Sequence, residues 1–127
     1  MANETPENIA VWFEIPSLDF DRAVAFYEAI FSAPLKRETM GEMRMALFPY
    51  SPGAVSGAVI ESPNHKPAAG GTLVYLNCNG RLDEVAGRVG SAGGKVLSGK
   101  VTLPDEMGDF FIIGDTEGNV LGLHAAA

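Results

Sequence analysis

The sequence predicts an α+β fold: two βαβββ modules forming a curved mixed sheet around a cavity. Two observations predict it. The hydrophobic pattern runs from a period-two strand to a helix to further strands, and the same order then recurs about 60 residues later. Glycine and proline punctuate the segments, with 15 Gly and 8 Pro in 127 residues. One curved sheet with a helix on its convex face cannot close its concave face alone. Two such units side by side make a larger concavity, and pockets form where units meet. The expectation is one domain over 1–127, with modules at about 9–61 and 72–124.

Each element has its own signal. Ile9, Val11, Phe13 and Ile15 alternate with Ala10, Trp12 and Glu14, which reads as a strand ended by Pro16. Asp19 suits a helix N-cap. Phe20, Ala23, Val24, Tyr27, Ile30 and Phe31 follow with helical spacing, and Pro34 prevents continuation. Residues 43–50 read as a strand with Arg44, Ala46, Phe48 and Tyr50 on one face, and 57–61 as another. The remaining strand of this module begins near Met40 or nearer Leu35, and 61–71 is a loop. Residues 72–78 read as a strand, with Val74, Leu76 and Cys78 on one face and Leu73, Tyr75 and Asn77 on the other. Asn79 is positioned to cap a helix bearing Leu82, Val85, Ala86 and Val89, with Gly93-Gly94 as its left-handed stop. Residues 95–101, 109–114 and 119–124 complete the second set of strands.

The bulk numbers narrow the function classes. A net charge of −7 argues against nucleic acid and anionic membranes, which reward basic patches. Cys78 is the single cysteine, so neither an intrachain disulfide nor a thiolate cluster for zinc can form. No apolar run reaches membrane-helix length, and residues 1–7 lack the pattern of a signal peptide. A cytoplasmic protein is the expectation. No phosphate-binding glycine loop or dinucleotide fingerprint is present.

Several motifs resemble one family. Asp19-Phe20-Asp21-Arg22-Ala23-Val24-Ala25-Phe26-Tyr27 is similar to the opening helix of the vicinal oxygen chelate superfamily, the group of glyoxalase I, bleomycin-resistance proteins and extradiol dioxygenases. Leu82-Asp83-Glu84-Val85, Gly93-Gly94-Lys95 and Asp115-Thr116-Glu117-Gly118-Asn119 resemble its second-half pattern, in the right order and spacing. Trp12 to Pro16 and Gly122 to His124 resemble the first and last strands of one subgroup. The resemblance covers residues 9–124 and implies paired βαβββ modules, a homodimer and a divalent metal held by cavity-facing residues. Such a metal chelates two substrate oxygens.

Matched residue by residue, the implied metal positions fall on Trp12, on Leu73 (or Thr72), on Glu61 and on Gly122. Only Glu61 is a ligand type. The usual metal site is therefore not expected. Glu14, Asn77 and His124 share cavity parity and offer a substitute: a shifted divalent-metal site, or Glu14 and His124 as a catalytic carboxylate–imidazole pair with Asn77 or Tyr75 orienting substrate. Trp12, Phe48, Tyr50 and Tyr75 suit a pocket for a flat or apolar ligand. Plainer readings stand beside these. Glu14 pairs with Arg44, His124 is solvated near the terminus, the aromatics are core, His65 is an exposed loop residue, and Cys78 is a small buried apolar group.

Three functions follow as expectations. The first is a small-molecule-binding protein of lyase or isomerase type working without the usual metal. The second is a non-catalytic binder that sequesters a cationic or aromatic compound, as an antibiotic-binding protein does. The third is a metal-dependent glyoxalase or dioxygenase with shifted ligands.

Overall fold

Alternation and capping become elements in the computed structural model, which describes residues 5–127. Strand β1 is Trp12–Pro16 and pairs in parallel with β4, Ser56–Glu61. The alternation begins at Ile9, but the strand does not. Its register opens at Trp12↔Ser56, and Ile9 and Val11, with no neighbouring strand, are 92% and 76% exposed. An alternating run becomes a strand only where a partner satisfies its backbone.

Helix α1, Phe20–Phe31, is capped by Asp19, whose carboxylate accepts the Arg22 N–H at 3.0 Å. Ser32, in the left-handed region at φ 51°, ends it before Pro34. Strand β2, Lys36–Met40, turns through Gly41 (φ 60°) into β3, Met43–Leu47. All residues of β2 are exposed, so its composition carries no apolar alternation to read.

The second module repeats the plan with shorter strands. Its elements are β5 (Tyr75–Asn77), α2 (Leu82–Val89), β6 (Lys95–Val96), β7 (Val101–Thr102), β8 (Asp109–Gly114) and β9 (Val120–Ala125). Residues 72–74 lie outside β5, and the strand expected over 95–101 is broken into β6 and β7. Asn79 does not cap α2. Arg81 holds that position without a side-chain cap, and Asn79 Oδ1 instead accepts the Ala126 N–H at 2.7 Å. Gly93 is left-handed at φ 104°, and the Gly94 N–H closes on Val89 O.

The hydrogen bonds fall into two sheets. One runs β1-β4-β3-β2; the other runs β5-β9-β8-β6, with β7 also on β8. The parallel β1–β4 and β5–β9 pairs are equivalent, so the molecule is one βαβββ plan used twice. One apolar cluster joins both helices to one face of each sheet and includes Ile15, Tyr27, Val59, Leu76, Val85, Ile113 and Leu123. The opposite face of the first sheet has a small cluster of its own, Met45, Ala58 and Ile60 with Met43 and Leu47 against it. Among the described residues no helix is long and apolar enough to cross a membrane.

The second module grips α1 at both ends. The Leu18 and Asp19 N–H groups donate to Glu117 Oε1 at 2.9 and 2.8 Å, and Arg22 Nε donates to Glu117 Oε2 at 2.7 Å. The Tyr27 hydroxyl donates to Asp115 Oδ2 at 2.7 Å, and Asn119 Nδ2 donates to Pro16 O at 2.8 Å. At the far end, Arg81 Nη1 donates to Phe31 O at 3.1 Å and Arg88 Nε to Ile30 O at 2.9 Å. An anion at a helix N-terminus and cations at its C-terminus both complement the helix dipole. The Asp115–Asn119 turn is thus the joint between modules.

The joint is electrostatically tight. Burial works against the Glu117 charge, but the Arg22 guanidinium, the Asp19 and Leu18 N–H groups and the Thr116 hydroxyl outweigh it and hold the carboxyl at about 2. Burial, with the Asp115 charge beside it, pushes the Tyr27 phenol well above its usual value.

Candidate functional site

Residues paired across strands share a face. Ile15 pairs with Val59, and Ala46 also pairs with Val59; these belong to the helix-side core. Glu14 pairs with Ala58, and Met45 with Ile60, on the opposite, concave face. Trp12 and Glu14 therefore lie on the concave face, where Trp12 Nε1 donates to Glu14 Oε2 at 3.4 Å.

The same alternation moves two expected cavity residues elsewhere. Glu61 has the parity of Val59, so it sits on the helix side. There it meets Arg44 Nη1 at 3.3 Å, and Arg44 in turn lies over the Phe20 ring and reaches Asp21. Arg44 thus pairs with Glu61 and Asp21, not with Glu14. Phe48 likewise belongs to the helix-side core, 5.6 Å from the Tyr27 ring and 6.1 Å from Phe31. Tyr50 lies beyond the strands and is 55% exposed.

On the second sheet, Tyr75↔Gly122 and Asn77↔His124 are neighbours in register, and Phe110 pairs with His124 on the other side. Gly122 occupies an implied ligand position, and the structure gives its reason: a Cβ there would overlap the Tyr75 ring, which packs edge-on to Phe110 at 5.5 Å. Leu73 precedes the strand and is exposed. His124 Nε2 donates to Met107 O at 2.7 Å, which fixes its ring against the 103–108 loop. Cys78 is fully buried, and burial pushes its thiol up to about 11, as the apolar reading expects.

The implied divalent metal can be tested against these positions. Trp12 and Leu73 have no ligand atom, Gly122 has no side chain, and Glu61 faces away from the concavity, so these residues do not fit it. Of the residues offered for a shifted site, Glu14 and Asn77 line different cavities, and His124 lines neither. Among the described residues no group of three or more His, Cys, Asp or Glu is placed to hold a metal ion. Glu14 accepts from Trp12 and His124 donates to Met107 O, so each side chain has a hydrogen-bond partner other than the other. Parity put both on the concave side, but they lie on different modules and only tertiary packing sets their separation.

The cavity that Glu14 does line lies on the seam between the modules. It holds about 150 Å³ and is walled by Glu14 and Pro16, by Lys66, Gly70 and Thr72 from the connector, and by Asn119 and Val120. The Ala68 N–H donates to Asn119 Oδ1 at 3.3 Å and ties the connector to the joint. Lys66 and Asn119 were missed as site residues. A loop has no parity to read, and Asn119 is legible only as a turn residue.

Comparisons with known proteins agree with this architecture. The family model described as Glyoxalase/Bleomycin resistance protein/Dioxygenase superfamily matches residues 9–123. The fold is similar to a glyoxalase/bleomycin resistance protein from Albidiferax ferrireducens T118 (TM-score 0.71, 12% identity, 94% of this chain and 100% of that one). It is also similar to a glyoxylase/bleomycin resistance protein/dioxygenase domain from Frankia sp. EAN1pec (TM-score 0.70, 17% identity, 96% and 100%). A glyoxalase I mutant from Zea mays is similar at TM-score 0.66 and 18% identity over 90% of this chain, which spans 44% of the maize chain. A search of curated protein sequences finds no match.

Proposed function

Because this chain belongs to the glyoxalase/bleomycin resistance protein/dioxygenase superfamily, we propose that it binds a small polar organic molecule at the seam between its two modules, without a metal chelate. One observation carries this reading. The seam leaves a cavity with the Glu14 carboxylate in its wall, while the chelating positions hold Trp12, Leu73, Gly122 and an outward-turned Glu61. Lys66 and Thr72 supply an ammonium and a hydroxyl, so the ligand is one that offers several hydrogen-bonding groups.

Binding without turnover is favoured over lyase or isomerase chemistry, because Glu14 has no imidazole in its cavity. If turnover occurs, its proton transfer falls to Glu14 alone. A thermal-shift panel of metabolites and antibiotics tests both. A ligand at 100 times its dissociation constant adds about 2.7 kcal/mol of stability. The expected hit shifts the wild type and loses most of its effect in Glu14→Gln. A hit that shifts both alike removes Glu14 from the site. Stoichiometric, chelator-removable metal in elemental analysis would overturn the metal-free reading.

A homodimer is part of the same proposal, supported by Trp12, Leu73 and Tyr75, large apolar groups left 39%, 42% and 46% exposed. Light scattering should give twice the chain mass, and a strict monomer at micromolar concentration contradicts it.

A further inference from the structure

We propose that a second cavity, at the C-terminal end of α1, is a separate binding site for a small aromatic or similarly sized apolar carboxylate. It lies at the other end of β1 and shares no lining residue with the seam cavity that holds Glu14. Its walls are Phe13, Phe31, Phe48, Pro49, Val55 and Leu76, with Ser56, Asn77 and Arg81 as the polar members. Phe13, Phe31, Phe48 and Leu76 belong to or pack against the helix-side core, while Ser56 and Asn77 share the register parity of Trp12 and His124.

Size and chemistry both restrict the ligand. The cavity holds about 170 Å³. An apolar cavity of about 150 Å³ accommodates benzene, so one ring fits. Phe13 and Phe48 lie 5.7 Å apart and Phe31 and Phe48 6.1 Å apart, presenting faces and edges to such a ring. The polar groups have partly used their capacity. Ser56 Oγ donates to Phe48 O at 3.2 Å, and Asn77 Oδ1 accepts the Asn79 N–H at 2.9 Å. Arg81 gives one N–H to Phe31 O and rests 5.4 Å over the Phe31 ring, which holds its guanidinium in place.

The unused donors are the rest of the Arg81 fork and the Asn77 amide N–H groups, while the Ser56 and Asn77 oxygens keep lone pairs. Arg81 is the one charged residue in the lining, and a fixed guanidinium favours a carboxylate. In a chain of net charge −7, the ion pairs among the described residues involve Arg22, Lys36, Arg37, Arg44 and Lys100, and Arg81 is in none of them. A cation in no ion pair among the described residues, at the mouth of an aromatic cavity, is the complement of this ligand class.

Benzoate and its neutral analogue benzyl alcohol test the site by NMR titration of the full chain. Benzoate should shift the amides of Phe13, Ser56, Leu76 and Arg81, and leave those of Thr72 and Val120 unmoved. Benzyl alcohol should bind about tenfold more weakly, the effect of one hydrogen bond to a charged group. Arg81→Met should remove that preference, and Arg81→Lys should keep it. Val55→Trp, at the exposed rim, should block both probes while leaving Arg81 and the helix end intact, so it decides the matter if Arg81→Met does not fold. Equal affinity for the two probes, shifts at Thr72 and Val120 instead, undiminished benzoate binding by Val55→Trp, or no shift at millimolar benzoate would each overturn the proposal.

Discussion

At the N-terminal end of α1 the second module offers a carboxylate; at the C-terminal end it offers two arginines. The helix dipole explains the choice of charge at both ends. The packing differs. The Glu117 side chain has no solvent exposure, and Asp115 and Asn119 fill the space around it with hydrogen bonds to Tyr27, Pro16 and Ala68. Around Arg81 the long side chain bridges to Phe31 O and leaves a cavity with spare donors. A short acid with every lone pair used seals a joint. A long cation with donors to spare leaves one open.

The strongest way to break this contrast is Glu117→Ala. It strips the acceptor from the Leu18 and Asp19 N–H groups and from Arg22, and should cost about 3 kcal/mol. At this chain length the melting point should fall by about 10 °C. A loss under 1 kcal/mol would mean the joint is not what holds the modules.

Acid should produce an effect of similar size. The Glu117 carboxyl titrates at about 2 when folded, against 4.5 as the ordinary value. A depressed folded value stabilises the fold above the unfolded value, and the benefit is lost as pH falls from about 4.5 through 2. The span corresponds to about 3 kcal/mol. Denaturant melts at pH 7, 4 and 2.5 should show that loss, and Glu117→Gln should show little of it. An equal acid response in both proteins would place the titration elsewhere.

Tyr27→Phe sharpens the comparison within the sealed end. It removes one donor to Asp115 while Asn119 Nδ2 keeps its bond, and should cost about 1.5 kcal/mol by denaturant midpoint at constant m-value. Arg88→Met should have the smallest effect, about 1 kcal/mol, because it loses one bond to Ile30 O and a favourable dipole contact in a partly exposed site. A larger cost for Arg88→Met than for Glu117→Ala would reverse the ranking of the two ends.

Much of the fold was legible because it is local. Asp19 caps α1 as its side chain predicts, the helical spacing from Phe20 to Phe31 matches the buried stripe, and β8 runs over the expected residues. Failures trace to missing local signals. β2 has no apolar face, and the three-residue β5 is shorter than its apolar run because its register with β9 begins at Tyr75. In the site, parity placed Trp12, Glu14, Tyr75 and Gly122 correctly on the concave side. The family match for Glu61 and the pocket reading of Phe48 put these two on the wrong side, because they alternate with Val59 and Ala46 and lie beside the helices.

The sequence by itself determined the repeated βαβββ plan, the turn from Asp115 to Asn119 and the residue types at Trp12 and Gly122, where the family resemblance implies metal ligands. These depend on residue type and on periods of two and 3.6, which are properties of the chain alone. Tertiary structure decided what the turn is for, why Gly122 is glycine, and which polar groups meet. Glu117 joins Arg22 across 95 positions, the Tyr75 ring fills the space over Gly122, and Glu14 and His124 take different hydrogen-bond partners. Contacts between modules depend on how two separately patterned sheets dock, and no local period encodes that docking.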